Sequence, residues 1–124
     1  MTHAPATGEH EAQGVVEIVG PDIERSLAFY TALGFTIERR TGPFAVLIGF
    51  DVRLFLAENH DAPTDKRWTN LRIIVADVDA VWERVNRLGL SVRHPIGDRF
   101  YGLRDFVLVD PSGFEIRFAQ VIAQ

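Results

Sequence analysis

Two stretches decide the fold: Asp22-Ile-Glu-Arg-Ser-Leu-Ala-Phe-Tyr-Thr-Ala-Leu-Gly34 and Asp77-Val-Asp-Ala-Val-Trp-Glu-Arg-Val-Asn-Arg-Leu-Gly89. Each opens on an aspartate, whose short carboxylate can accept a free N–H at a helix start. Each closes on a glycine, which tolerates the left-handed conformation that ends helices. In the first, Ile23, Leu27, Tyr30 and Leu33 recur every three or four residues, the spacing of one helix face. Cap and stop lie 12 residues apart in both stretches, and an offset of 55 superposes them. At that offset Ile23 meets Val78, Leu33 meets Leu88, Phe35 meets Leu90 and Ile37 meets Val92.

The flanks repeat as well. Val15–Val19 is a β-prone run closed by Gly20-Pro21-Asp22. Phe35–Arg40, Phe44–Ile48 and Val52–Ala57 read as three strands, broken at Thr41-Gly42-Pro43 and Gly49-Phe50-Asp51. The second half offers Leu71–Val75, then Ser91–Ile96, Leu103–Val109 and Phe114–Ile122, with a tight turn at Asp110-Pro111-Ser112-Gly113. A repeat of this kind takes precedence over local detail. It predicts an α+β domain over 14–121 made of two tandem βαβββ modules, about 14–57 and 70–121, joined by the polar linker 58–69. Residues 1–13 read as a flexible tail. Set side by side, the modules should form a curved mixed sheet of eight strands, with helices on the convex side and a concave cup.

Composition narrows the function. The chain has 124 residues, of which 47% are hydrophobic and 24% charged, as in an ordinary globular domain. A formal charge of −4 disfavours nucleic acid as a partner, because phosphate contact needs clustered Lys and Arg. With zero cysteines there is no disulfide, thiolate metal site or Cys nucleophile. No apolar run approaches the ~18 residues that would span a bilayer, and the first residues lack the basic start and apolar core of a secretion signal. The expectation is a cytoplasmic protein with no membrane partner.

Strand alternation assigns side chains to the cup. Val16, Ile18, Leu54, Leu56, Leu71, Ile73, Ile116 and Phe118 should face the helices. Val15, Glu17, Val19, Arg53, Phe55, Asn70, Arg72, Ile74, Glu115 and Arg117 should face inward. Three arginines then meet two glutamates. Buried charges must be paired or they cost several kcal/mol each, so one reading pairs them internally or lets them meet solvent or a second subunit. The other leaves an arginine, above all Arg117, for an anionic or carbonyl-rich ligand. Phe44, Phe50, Phe55, Trp68, Phe100 and Tyr101 lie where they could border the cup, and Trp68 is the candidate for its rim. Phe29, Phe35, Phe106, Phe118 and Trp82 read as core.

The helix opening Asp22-Ile-Glu-Arg-Ser-Leu-Ala-Phe-Tyr30 with Leu33-Gly34-Phe35 resembles the first-module signature of the vicinal oxygen chelate superfamily, the glyoxalase, bleomycin-resistance and extradiol-dioxygenase group. Asp110-Pro111-Ser112-Gly113 is similar to the second-module signature, and Tyr101–Gly113 resembles most the antibiotic-binding resistance members. The resemblance covers roughly 14–121 and implies a homodimer with pockets at or near its interface. Metal-using members take a ligand from the first and last strand of each module, which the resemblance places at Val15, Phe55, Asn70 and Arg117. Val and Phe cannot donate to a metal, Asn is a poor transition-metal ligand and Arg repels a cation. The expectation is therefore no metal and no cofactor. A substitute site would need His60 and His94 to converge on Glu17 or Glu115.

No G-x-S-x-G surrounds Ser26, Ser91 or Ser112, and no P-loop or G-x-G-x-x-G is present. Ser26 reads as a solvated or helix-face residue. A Glu17–Glu115 acid–base pair is weakened by the arginines, which should lower both pKa values. No catalytic residue is assigned. The reading is a metal-free protein that sequesters an apolar or aromatic small molecule, an anionic one included, through Arg117, Asn70, Arg72, Phe55, Trp68, Glu17, Glu115, Arg53 and Tyr101. Its rivals are a metal-dependent lyase, isomerase or dioxygenase of the same superfamily, and a non-catalytic scaffold with a filled cup.

Overall fold

A computed structural model describes residues 12–123 of the chain. The element order is β1 (Val16–Gly20), α1 (Ile23–Leu33), β2 (Thr36–Thr41), β3 (Phe44–Gly49) and β4 (Val52–Glu58). It repeats as β5 (Asn70–Ile74), α2 (Val78–Leu88), β6 (Val92–Asp98), β7 (Leu103–Val109) and β8 (Glu115–Val121). Both aspartate caps form: Asp22 accepts from the Arg25 amide at 3.2 Å and Asp77 from the Ala80 amide at 3.1 Å. Gly34 and Gly89 end the helices with φ of 131° and 67°. Most of the tail, including His3 and His10, lies outside the described residues.

The two βαβββ modules stand, but their eight strands divide into two hydrogen-bonded sheets of four rather than one continuous sheet. Sheet A has the order β1-β4-β3-β2 and sheet B the order β5-β8-β7-β6. In each, the first strand of the module pairs in parallel with its last, and the other pairs are antiparallel. The first strand thereby becomes an edge. Among the described residues no strand of one sheet is bonded to a strand of the other.

The modules join through the helix sides of their sheets. Ile18, Leu54 and Leu56 of sheet A and Ile73, Phe106, Ile116 and Phe118 of sheet B are buried in one core with Leu27, Tyr30, Leu33, Val78 and Val85 of the helices. Phe50, in the β3–β4 turn, contacts Phe35 at 5.5 Å and Phe118 at 5.0 Å between ring centroids, so it bridges the modules instead of bordering a cup. Phe29, Phe35, Phe106 and Phe118 are core, as expected, and Trp82 packs on Phe106 at 5.0 Å. Ser26 is buried on α1 rather than solvated.

A polar latch reinforces the join. The Tyr30 hydroxyl donates to Asp110 Oδ2 at 2.6 Å, while Asp110 Oδ1 accepts from the Ser112 amide, the Ser112 hydroxyl and the Phe114 amide at 2.7–2.9 Å. The Asp-Pro-Ser-Gly turn is thus organised by its own first residue and tied to the other module's helix. Burial first, then the Asp110 charge and hydrogen bond, push the Tyr30 hydroxyl well above its ordinary pKa. The linker straps the same region: Arg67 donates to the Val19 and Ser112 carbonyls at 2.8 and 3.0 Å.

Candidate functional site

The alternation read from the sequence holds. Every strand residue assigned to the helix side is buried or half-buried, while the opposite faces carry the polar and aromatic side chains. Since the helix sides of both sheets share one core, these outer faces form two separate surfaces. Among the described residues, no side chain of one outer face bonds or ion-pairs with a side chain of the other. The single cup expected from one chain is thereby replaced by two open faces.

Sheet A presents the apolar one. Phe44 and Phe55 contact at 5.1 Å, edge to face, beside Val46, Ile48, Val19 and Ala57. Arg53 is paired with Glu38, Arg39 lies 5.8 Å over the Phe44 ring, and Glu17 is exposed next to Phe55. Phe55, Arg53 and Glu17 therefore share this face and do not meet Asn70, Arg72, Glu115 or Arg117.

Sheet B gathers the charges. Glu115 is 2% exposed, with Arg117 Nη2 at 3.2 Å from its Oε1 and both Arg93 Nη1, at 3.2 Å, and Lys66 Nζ, at 3.8 Å, facing its Oε2. Farther along the same face, Asp105 of β7, opposite Ala119, is 1% exposed and receives Arg99 Nε at 2.7 Å, the Tyr101 hydroxyl at 2.8 Å and Arg72 Nη2 at 3.6 Å. Burial pulls the Asp105 carboxyl upward, but the Arg99 and Tyr101 hydrogen bonds and the Arg99 and Arg72 charges outweigh it and hold it below the usual range. The Tyr101 hydroxyl is raised, by burial and then by Asp105.

Two aromatic rings border this cluster. Trp68, 89% exposed, lies under Lys66 at 4.4 Å from the ring centroid, and Asn70 follows it as the β5 neighbour of Glu115. At the other end Tyr101 lies 5.6 Å from the Arg72 guanidinium and 5.1 Å from exposed Phe100. Asn70, Arg72, Glu115, Arg117, Trp68 and Tyr101 thus come together. The glutamate–arginine pairing weighed from the sequence forms, but with partners the sequence reading missed: Asp105, Arg93, Arg99 and Lys66. Asp105 was legible, since alternation in β7 puts it beside Ala119 and two residues from Val107, the partner of Arg117. Arg93 and Arg99 were not. Strand β6 slips register between Val92 and His94 and again before Gly97, so a period of two no longer tells which way its side chains point.

The parallel ladders are equivalent: Glu17 pairs with Phe55 as Arg72 pairs with Arg117, and the first strands β1 and β5 keep the offset of 55 that relates the helices. Phe55 and Arg117 thus hold corresponding places, as do positions 15 and 70. Val, Phe, Asn and Arg at those four places do not suit a divalent cation. Among the described residues no three His, Asp or Glu side chains converge elsewhere, so His60 and His94 do not meet Glu17 or Glu115. No helix of the described residues is long and apolar enough to cross a membrane.

The glyoxalase/bleomycin resistance protein/dioxygenase superfamily model matches residues 12–118. Bleomycin resistance proteins of Geobacillus stearothermophilus and Staphylococcus aureus are each 31% identical over 82% of this chain and 90% of their own. The fold matches a glyoxalase/bleomycin resistance protein/dioxygenase from Alicyclobacillus acidocaldarius with a TM-score of 0.79, at 22% identity over 89% of this chain and 91% of that one. It also matches a bleomycin-binding protein complexed with bleomycin, with a TM-score of 0.75 at 22% identity over 89% and 98%. With its paired βαβββ modules and their signature turns in place, the chain belongs to the glyoxalase/bleomycin resistance protein/dioxygenase superfamily.

Proposed function

We propose that the protein is a small-molecule binder of the bleomycin-resistance type, which holds its ligand without transforming it and uses no metal. The observation that carries this reading is a sheet face that stays open to solvent while offering guanidinium groups between exposed aromatic rings, with no donor set for catalysis by a metal. Rings supply area for an apolar body, and fixed arginines supply directional polar contacts. The chain's similarity to bleomycin resistance proteins supports sequestration.

One chain presents only half an enclosure. Sheet B carries the charged face and sheet A the apolar face with Phe44 and Phe55, pointing out of separate modules. In a homodimer the charged face of one copy can close against the apolar face of the other and dry the ligand between them.

Thermal shift and calorimetry test the reading, since a ligand that binds only the native state raises the melting temperature. Purified protein is titrated with bleomycin and a panel of aromatic compounds of different charge, and recovered ligand is analysed by mass spectrometry. A saturable shift with chemically unchanged ligand is expected. A melting temperature indifferent to every compound would refute binding, and a transformed ligand would convert the protein to an enzyme.

A further inference from the structure

The protein as a whole is acidic, at −4, but the outer face of sheet B is not. Five cations (Lys66, Arg72, Arg93, Arg99 and Arg117) surround two carboxylates, Glu115 and Asp105. The surplus is three positive charges, so the rest of the chain carries a net −7. The nearby Asp98 does not offset it, being held by Arg104, which also binds Asp79 of α2 on the helix side.

Several of these cations are held in place but not used up. Arg72 and Arg117 are direct neighbours across the β5–β8 ladder on one face, an arrangement that like-charge repulsion disfavours. Arg72 and Arg93 reach their carboxylates at 3.6 and 3.2 Å, yet neither makes an aligned hydrogen bond among the described residues. Arg117 makes one, and its Nε is buried with no acceptor. A guanidinium carries five N–H donors in a fixed fork, so donors remain on all three. Glu115 and Asp105 act as anchors that hold the arginines in place.

We propose that this face takes a small anion with carboxylate- or phosphate-type oxygens on a flat apolar body, bound by Arg72, Arg93 and Arg117 and flanked by Trp68 and Tyr101. The proposal rests on the binding reading above and names its ligand class. An anion between Arg72 and Arg117 relieves their repulsion and accepts from the N–H groups that these part-exposed guanidiniums leave unused, while Trp68 and Tyr101 flank the body.

The test uses four probes on the full chain at low ionic strength in chloride buffer: isophthalate, inorganic phosphate, the neutral isophthalamide and the cation phenyltrimethylammonium. Isophthalate and phosphate should raise the melting temperature and compete with each other, and the effect should shrink as salt is added. Arg72→Met and Arg117→Met should each weaken isophthalate binding about tenfold or more, whereas Arg87→Met on exposed α2 should not. Without anion, Arg72→Met should change the melting temperature little, because it removes the repulsion from Arg117 together with a 3.6 Å attraction for Asp105, which keeps its Arg99 and Tyr101 bonds. A purely structural Arg72 would instead lower melting in chloride and leave isophthalate binding unchanged. Equal or greater shifts with the neutral or cationic probe would overturn the anion assignment while leaving the binding reading intact. If neither these probes nor the wider panel bind, the binding reading itself fails.

Discussion

At the scale of single residues, the same side-chain chemistry does different work according to how completely it is satisfied. Asp110 is saturated: three donors from its own turn and one from Tyr30 leave it no free capacity, so its role is to fix the modules together. Glu115 is equally buried but incompletely bonded, with Oε2 facing two cations and no aligned donor. The first pattern belongs to architecture and the second to a site that has polar capacity to spare. Tyr30→Phe isolates the architectural case, because it removes one hydroxyl from a packed ring and leaves a carboxylate oxygen buried without its donor. A hydrogen bond to a charged group contributes roughly 1.5–3 kcal/mol, and urea unfolding should show a loss of that size with ligand binding retained in the folded protein.

At the scale of elements, the linker is a strap and not a loose connection. Gly113 closes the β7–β8 turn at φ 88°, and a Cβ there would collide with the carbonyl oxygens of Thr64 and Asp65. The turn, the linker and the start of β5 therefore pack as one unit, which places Lys66 over Glu115 and Trp68 at the edge of the charged face. Gly113→Ala should cost more than about 1–3 kcal/mol, the strain of a positive φ alone, since it also pushes the linker away. Limited trypsin digestion should then cut faster after Lys66 and Arg67. Unchanged digestion would mean that the linker does not depend on this contact. Strand β6 makes the complementary point. As an edge strand it tolerates Pro95, which lacks an amide donor, and its register slips turn Arg93 onto the face where the buried carboxylates lie, while Arg99 reaches Asp105 from the turn that follows the strand.

At the scale of the whole molecule, burying both helix sides in one core settles which surfaces are left for other molecules. Of the nine large apolar side chains exposed among the described residues, six (Trp68, Ile74, Phe100, Tyr101, Val121 and Ile122) lie on sheet B or its adjoining turns, against Ile37 and Ile48 on sheet A and Leu88 on α2. Isolated exposed apolar groups are ordinary, but a grouping of this kind marks a surface that is used. The homodimer proposed above should appear as twice 13.9 kDa in sedimentation equilibrium. Phe100→Ser with Ile74→Ser should shift it toward monomer without altering the fold. A parent protein that sediments as a monomer at all concentrations would leave each face to bind alone.

Fold was legible because it is written in local chemistry. Aspartate caps, glycine stops and strand alternation act within a few residues, and their repetition at a fixed offset leaves little freedom in the order of elements. The outward placement of Arg72, Glu115 and Arg117 followed from the same period of two. How the modules meet was not legible, because any amphipathic sheet can bury its apolar side against its own helix or against a neighbour's. Only the packed structure showed that Phe50, Tyr30 and Asp110 draw the two helix sides into one core, which splits the expected cup into two faces. Arg93, Arg99 and Lys66 escaped for a related reason: register slips and a linker carry no periodic signal, so long-range packing alone brings them to Glu115 and Asp105.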